Sequence, residues 1–204
     1  MKQPIDLFRR KPRQARAEGT IGTILEAAAQ ILQNRPDDFT TNAVAERAGF
    51  GIGTLYQYFP NKDALLMAIA EREAARLVSA LKADIDDNRA VDLEERVRAI
   101  VRRLIGGFGG RQRARKAVLL AVLKRAPGIA AKPVSEVANH LIDRLLKAND
   151  PTVRRPTPAA MFVVTRALVG CIRAAVLEES SLLATREFED EVVRLVVRAL
   201  RVDE

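Results

Sequence analysis

Between Thr41 and Phe59 the chain reads TNAVAERAGFGIGTLYQYF: eight residues suited to a helix, the three-residue turn GFG, and eight more helical residues. Thr40 or Thr41 offers a hydroxyl to cap the first segment, which carries Val44, Ala45 and Ala48. At about 100° per residue, Ile52, Leu55 and Phe59 gather on one side of the second segment, where Val44, Ala48 and Phe50 can pack against them. Gly49 is placed to supply the positive-φ turn between the two. Helix, tight turn, helix is a recognised supersecondary unit, and it makes this part of the chain a compact helical head.

The remaining sequence is punctuated in the same way. Ile21, Ile24, Leu25, Ala28, Ile31 and Leu32 form an apolar stripe from about Gly19 to Asn34, stopped by Pro36, Asp37 and Asp38, with Phe39 returning to the core. Pro60 and an Asn61 cap begin a long helix from Lys62 to about Ala83. DIDDNRAVD, Asp84 to Asp92, is expected as a loop; Asp92 and Glu95 then form a capping box for a helix ending near Gly106, where GGFGG breaks the chain. Further helices are expected at about 111–125, 133–148, 158–180 and 186–202, with Thr157 and Thr185 as N-caps for the last two. Nothing alternates with the period of two that strands require, aromatics are 4% of the chain and Trp is absent. The expected fold class is all-α, about nine helices: an N-terminal three-helix helix-turn-helix head followed by a larger helical body. The expected division is a flexible basic arm at 1–18, a head at 19–65 and a body at 66–204.

A second helix of this kind can lie in the major groove of DNA, and its outward side chains suit that role. Gly53 and Gln57 point directly away from the packed side, with Thr54 and Tyr56 on the flanks. Gln can bond an adenine edge bidentately, Thr can bond a phosphate or touch a thymine methyl, and a Tyr hydroxyl can reach phosphate. Gly53 leaves room for close approach. Lys62 stands in the first turn of its helix, where a cation opposes the macrodipole at a cost of about 0.3–1 kcal/mol. A phosphate nearby reverses that sign; compensation by the adjacent Asp63 is the alternative. Arg9, Arg10, Lys11, Arg13 and Arg16 crowd a polar, Pro-containing segment that reads as a basic arm able to touch DNA.

The stretch FTTNAVAERAGFGIGTLYQYFPNKDALL, Phe39 to Leu66, resembles the DNA-binding segment of the tetracycline-repressor (TetR) family of bacterial transcriptional regulators. ILEAAAQIL before it resembles that family's first helix, so that about 45 residues carry the match. Thr-Thr, Ala-Glu-x-Ala-Gly, Gly-Thr-Leu-Tyr-x-Tyr-Phe and Asn-Lys-x-Ala-Leu-Leu occur in order and at the family's spacing. The resemblance implies that Thr41, Asn42, Thr54, Tyr56, Gln57, Tyr58 and Lys62 face DNA, with Gln57 at the variable position between the two aromatic residues. Gly51 departs from the family's usual Ser or Thr and removes the side-chain cap of the recognition helix, at a cost of only a few tenths of a kcal/mol.

The last two helices are apolar on more than one side, which calls for two packing partners. The resemblance implies a homodimer built on them, with Val164, Leu168, Ile172, Val193, Val196, Val197 and Leu200 as interface candidates and half-sites about one helical turn apart. By resemblance alone the other helices surround an effector pocket, with Phe108, Leu119, Leu123, Leu141, Met161, Phe162 and Arg166 as candidate walls. The effector is not identified. From Arg96 to Ser135 there are eleven basic residues and no acid, a run that suits an anionic ligand, DNA steering or simple solvation.

Other function classes find little support. His140 lies with Asn139, Asp143 and Arg144 on a polar helix side, Cys171 sits among apolar residues, and neither GxGxxG nor GxxxxGK[ST] is present. No catalytic residues, metal ligands or cofactor are expected. The net charge of +8 is compatible with nucleic acid, a single cysteine suits a reducing cytoplasm, and Arg166 and Arg173 interrupt the longest apolar run, so no membrane association is expected. The expectation is an effector-released repressor bound to double-stranded operator DNA. A helical protein–protein interaction module and a helical-bundle enzyme are the alternatives.

Overall fold

The structure, a computed structural model, describes residues 15–87, 92–108, 112–125, 131–148 and 152–201. Nine α-helices appear among the described residues: α1 (Ala15–Asn34), α2 (Thr41–Ala48), α3 (Ile52–Tyr58), α4 (Lys62–Asp87), α5 (Leu93–Phe108), α6 (Gln112–Arg125), α7 (Ala131–Lys147), α8 (Pro158–Leu177) and α9 (Arg186–Leu200). Short 3-10 turns occupy Pro36–Asp38 and Ser181–Ala184, and extended pairing is limited to an isolated bridge between Val153 and Arg201. The chain divides into two compact units: residues 1–73 with 111–127, and 74–110 with 128–204.

The first unit is built around α1. Ile24 and Ala28 are fully buried there, and Val44, Leu55, Phe59 and Leu65 bring α2, α3 and the start of α4 onto the same core. α6 joins it, through Ala114 and the partly buried Ala117, Val118 and Ala121. Their i, i+3, i+4, i+7 spacing makes a narrow stripe of small side chains, which lets α6 lie close to α1. The amide of Ala114, in the first turn of α6, donates to Gln33 Oε1 at 3.4 Å.

The second unit packs α5 against α9. Leu93, Val97 and Val101 recur every four residues and meet Val193, Val196, Val197 and Leu200. Burying each such side chain is worth about 1.5–3 kcal/mol. At the edge of this interface Arg98 donates to Glu94 at 2.9 Å, to Glu189 at 3.0 Å and to Asp190, while Arg102 adds bonds of 2.9 and 3.0 Å to Glu189. The bond from Arg98, with the charges of Arg98, Arg186 and Arg194, holds the Asp190 carboxyl below its ordinary range despite burial. Burial alone raises that of Glu189, but the bonds from Arg102 and Arg98 outweigh it and the net shift is downward.

Several boundaries differ from the sequence expectation. α1 begins at Ala15 rather than near Gly19. α4 continues through Asp84–Asp87, because Ile85 is buried with Leu81 and Ile100, and Asp84 is neutralised by Arg103 at 2.6 and 2.9 Å. Gly106 and Gly107 do not break α5 but lie within it; a Cβ on Gly107 would meet Leu77 Cδ1 at 3.1 Å, so the glycine permits a close approach of α4. Asp92 caps α5 through the Glu94 amide at 3.2 Å. α8 is long and apolar enough by length and composition to cross a membrane despite Arg166 and Arg173, so these two arginines do not exclude it on that test.

Candidate nucleic-acid interface and ligand cleft

The two short helices are set by their caps. Thr40 accepts the Ala43 amide at 3.1 Å to start α2, and Gly49 ends it in the left-handed region at φ 74°. Phe50 then returns its amide to Ala45 O at 3.0 Å and packs on the head core. Gly51 begins α3 in extended geometry with no side-chain cap. Leu55 and Phe59, both fully buried, anchor α3 to the core. Ile52 does not join them: it is 37% exposed at the start of α3.

The outward surface has the composition expected. Asn42, Gly53, Tyr56 and Gln57 are exposed, while Thr41, Thr54 and Tyr58 are half-buried. Tyr56 Oη and Thr41 Oγ1 share a hydrogen bond of 3.2 Å, tying α3 to the first turn of α2. Tyr58 also packs against the head core, so its ring has a structural role besides any outward one. Lys62 is exposed, with Nζ 5.0 Å from the centroid of the buried Phe39 ring. Its methylenes cover apolar surface while the ammonium stays in water. Asn61 Oδ1 accepts the Ala64 amide at 2.9 Å and starts the helix that carries Lys62. A bare backbone, an amide side chain, a phenol and an ammonium are thus presented together on a buried apolar anchor, an arrangement able to follow a phosphate-lined groove. The arm residues Arg9, Arg10, Lys11 and Arg13, and the Arg16 side chain, lie outside the described residues.

The candidate effector-wall residues are divided between the two compact units. Leu119 is buried and Leu123 exposed on α6, in the first unit. In the second unit Met161 is half-buried against the α5–α9 core, and Phe162 is 62% exposed beneath the Arg166 guanidinium, 5.0 Å away. The Phe108 side chain lies outside the described residues. Leu141 alone among them lines the cleft found in the second unit. That cleft, about 260 Å³, lies between the end of α4, α5 and α7. Ile85, Ile100, Leu141 and Leu145 give it apolar walls, and Arg96, Arg144 and Lys147 a cationic rim. Arg144 is held by Asp86, its Nε 3.1 Å from Oδ1. Sequence reasoning missed these rim residues. The i, i+3, i+4 set Leu141, Arg144 and Leu145 was a readable stripe, but its pairing with Arg96 and Ile100 is tertiary.

The candidate interface residues are buried inside the protomer. Ile172, Val193, Val196, Val197 and Leu200 are at most 7% exposed, and Val164 and Leu168 pack against the same core. The resemblance gave them as dimer-interface candidates; here they fill the core of the second unit. The large apolar side chains that α8 leaves exposed are Phe162 and Val163, each 62% exposed.

The sequence model for bacterial regulatory proteins of the tetR family matches residues 24–69, which span α1 to the start of α4. No curated protein matches the chain in sequence. Among solved structures it is similar to a TetR-family transcriptional regulator from Pectobacterium atrosepticum, at 24% identity over 93% of each chain and a TM-score of 0.64. It is also similar to the SmeT–triclosan complex, at 19% identity over 91% of this chain and 93% of that one and a TM-score of 0.63. A third similarity is to the multidrug binding protein EbrR complexed with imidazole, at 21% identity over 90% and 96% and a TM-score of 0.58.

Proposed function

We propose that this chain, which has a TetR-family DNA-binding head and the fold of that family's transcriptional regulators, is a homodimeric repressor released from its operator by a small-molecule effector. The observation that carries the DNA-binding part is the surface of α3: Gly53, Tyr56 and Gln57 exposed over the buried anchors Leu55 and Phe59. Gln57 is the proposed base reader, Thr41, Asn42, Thr54, Tyr56 and Tyr58 the flanking contacts, and Lys62 a phosphate contact. Such a regulator works in the bacterial cytoplasm.

Ligand-bound neighbours, one with triclosan and one with imidazole, support an effector site in the body, and the cleft between α4, α5 and α7 is the proposed one. Its coupling to the head runs through chain connectivity. α6 belongs to the compact unit of the head, packed on α1, yet is joined in sequence to α5 on one side and α7 on the other. Those two helices line the cleft. A ligand that binds these two helices differently in two states is coupled to α6 along the chain, and so shifts the population of head positions. A typical coupling of about 1–3 kcal/mol lowers operator affinity about 5- to 150-fold.

The test is fluorescence anisotropy with the duplex upstream of the protein's own coding region, titrated with protein at fixed salt against nonspecific competitor. Binding at least a thousandfold tighter than competitor is expected of a specific regulator, on the order of the usual ratio. Equal affinity for both duplexes would refute the reading and favour a protein-interaction module.

A further inference from the structure

The cleft has a division of chemistry that points beyond regulation by an unspecified effector. Its floor is aliphatic: Ile85, Ile100 and Leu145 are at most 6% exposed, and Leu141 is half-buried. Its rim is cationic, and no carboxylate is among its lining residues within the described part of the chain. Asp86, the acid that holds Arg144, also receives His140 Nε2 at 3.0 Å, so its charge is already shared between two partners on α7. Arg96 on α5 and Lys147 at the end of α7 add two further positive charges. A guanidinium does not lose its proton at any working pH.

Each class of small molecule meets this arrangement differently. A cation is repelled by the rim. An inorganic anion satisfies the rim and leaves the floor wet. A neutral apolar molecule covers the floor and gains nothing from the rim. We infer that the cleft takes an organic monoanion, a carboxylate carried on an apolar body, with the body on Ile100, Leu141 and Leu145 and the charge toward Arg96 and Lys147. The volume of about 260 Å³ is below the roughly 300 Å³ at which sites for drug-sized ligands begin, so the body is modest, of the order of a short aliphatic chain. This assignment rests on the proposed role of the cleft as the effector site.

Isothermal titration calorimetry on the full chain with octanoate, octan-1-ol, octylamine and acetate tests it. Each methylene buried is worth about a fourfold gain, so three of them on the floor separate octanoate from acetate by about 60-fold. Charge-assisted hydrogen bonds are about twice as strong as neutral ones, and octanoate is expected to bind at least about tenfold more tightly than octan-1-ol. Octylamine is expected to be the weakest of the three eight-carbon probes. In the doubly substituted R96A/K147A protein the octanoate advantage disappears while octan-1-ol binds as before. The inference is overturned if octanoate fails to bind, if acetate, octan-1-ol or octylamine equals it, or if its advantage survives the double substitution. Operator release measured in parallel separates the two ideas. Release by a neutral compound, with no octanoate binding, leaves the regulatory reading standing and removes the ligand class. Octanoate binding as described, with operator affinity unchanged, keeps the ligand class and removes the effector role.

Discussion

Gly51 opens α3 without a side-chain cap, and replacing it tests how the recognition helix is held. The residue has φ −65° and ψ 146°, extended geometry open to any side chain, and the Thr54 amide is met at 2.9 Å by the Gly51 carbonyl alone. A Cβ built on Gly51 meets nothing within 4 Å. Serine can therefore keep the backbone and turn its hydroxyl toward the amide of Gly53 or Thr54, the positions an N-cap serves. Exchanging a capping Ser for Gly costs a few tenths of a kcal/mol, and exchanging it for Ala typically costs about 1 kcal/mol. Gly51→Ser is thus expected to stabilise by about 0.3 kcal/mol and Gly51→Ala to destabilise by about 0.7 kcal/mol. For a chain of this length, 1 kcal/mol moves Tm by about 2–4 °C, and by about 4–8 °C if the smaller head melts as its own transition. Scanning calorimetry should give the order serine, wild type, alanine, with wild type nearer to serine. An alanine variant as stable as the serine variant would refute the argument, because the helix start would then not be limited by the missing oxygen. Operator affinity in the same variants reports a different property. A tenfold loss for Gly51→Ser would place DNA within reach of the new side chain.

Gln57→Ala is expected to leave nonspecific affinity intact and to reduce discrimination at one base pair by about 1–3 kcal/mol, read from a panel of operator variants. Lys62→Ala should weaken binding to all duplexes and lower the slope of log affinity against log salt by about 0.9. Its Tm should hardly move, since relief of the macrodipole, about 0.3–1 kcal/mol, offsets loss of the Phe39 contact, about 0.5–1 kcal/mol. Glu189 and Asp190 have folded-state pKa values below their ordinary 4.5 and 3.8, so the stability they carry is present above those values and is lost as pH falls through the lower folded values. Arg98→Gln removes donors from both, and chemical denaturation across pH 2–6 should show a flatter acid limb than wild type; an unchanged limb would refute the role of this network.

The head was legible because its determinants are local. Thr40, Gly49 and Asn61 act where helix caps act, and Leu55 and Phe59 fall on one side of a short helix by periodicity alone. Features that depended on a neighbour were not legible. Asp84–Asp87 reads as an acidic loop until Arg103 is seen beside Asp84 and Ile85 inside a core. Gly106 and Gly107 read as a break until Leu77 is seen to need the space of a missing side chain. α6 reads as part of the body, since its stripe of Ala and Val is too weak a signal to name its partner; only packing on α1 assigns it to the head unit. The cleft needed two such steps together, the pairing of α5 with α7 and the continuation of α4 to Ile85.

The apolarity of α8 has a similar history, and it yields a dimer test with a magnitude. Its inner face, Thr165, Ile172, Ala175 and Val176, is buried within the second unit, and its outer face keeps Phe162 and Val163 in solvent at 62% each. Covering a Phe or Val side chain fully is worth about 1.5–3 kcal/mol, and a two-fold interface counts each residue twice. Four such side chains, each 62% exposed beforehand, supply about 4–7 kcal/mol before the association cost of about 4–15 kcal/mol, so this patch alone is marginal and needs further surface from α9, where Leu195 is 38% exposed. In so balanced an interface a single change should be decisive. Phe162→Ala removes about 1 kcal/mol or more from each of two symmetric positions, which raises the dimer dissociation constant by about 30-fold. Sedimentation velocity over a protein dilution series should then show monomer where wild type remains dimeric, with operator binding weakened in step. A Phe162→Ala protein that stays dimeric across the whole series would put the interface elsewhere and leave the outer face of α8 without this partner.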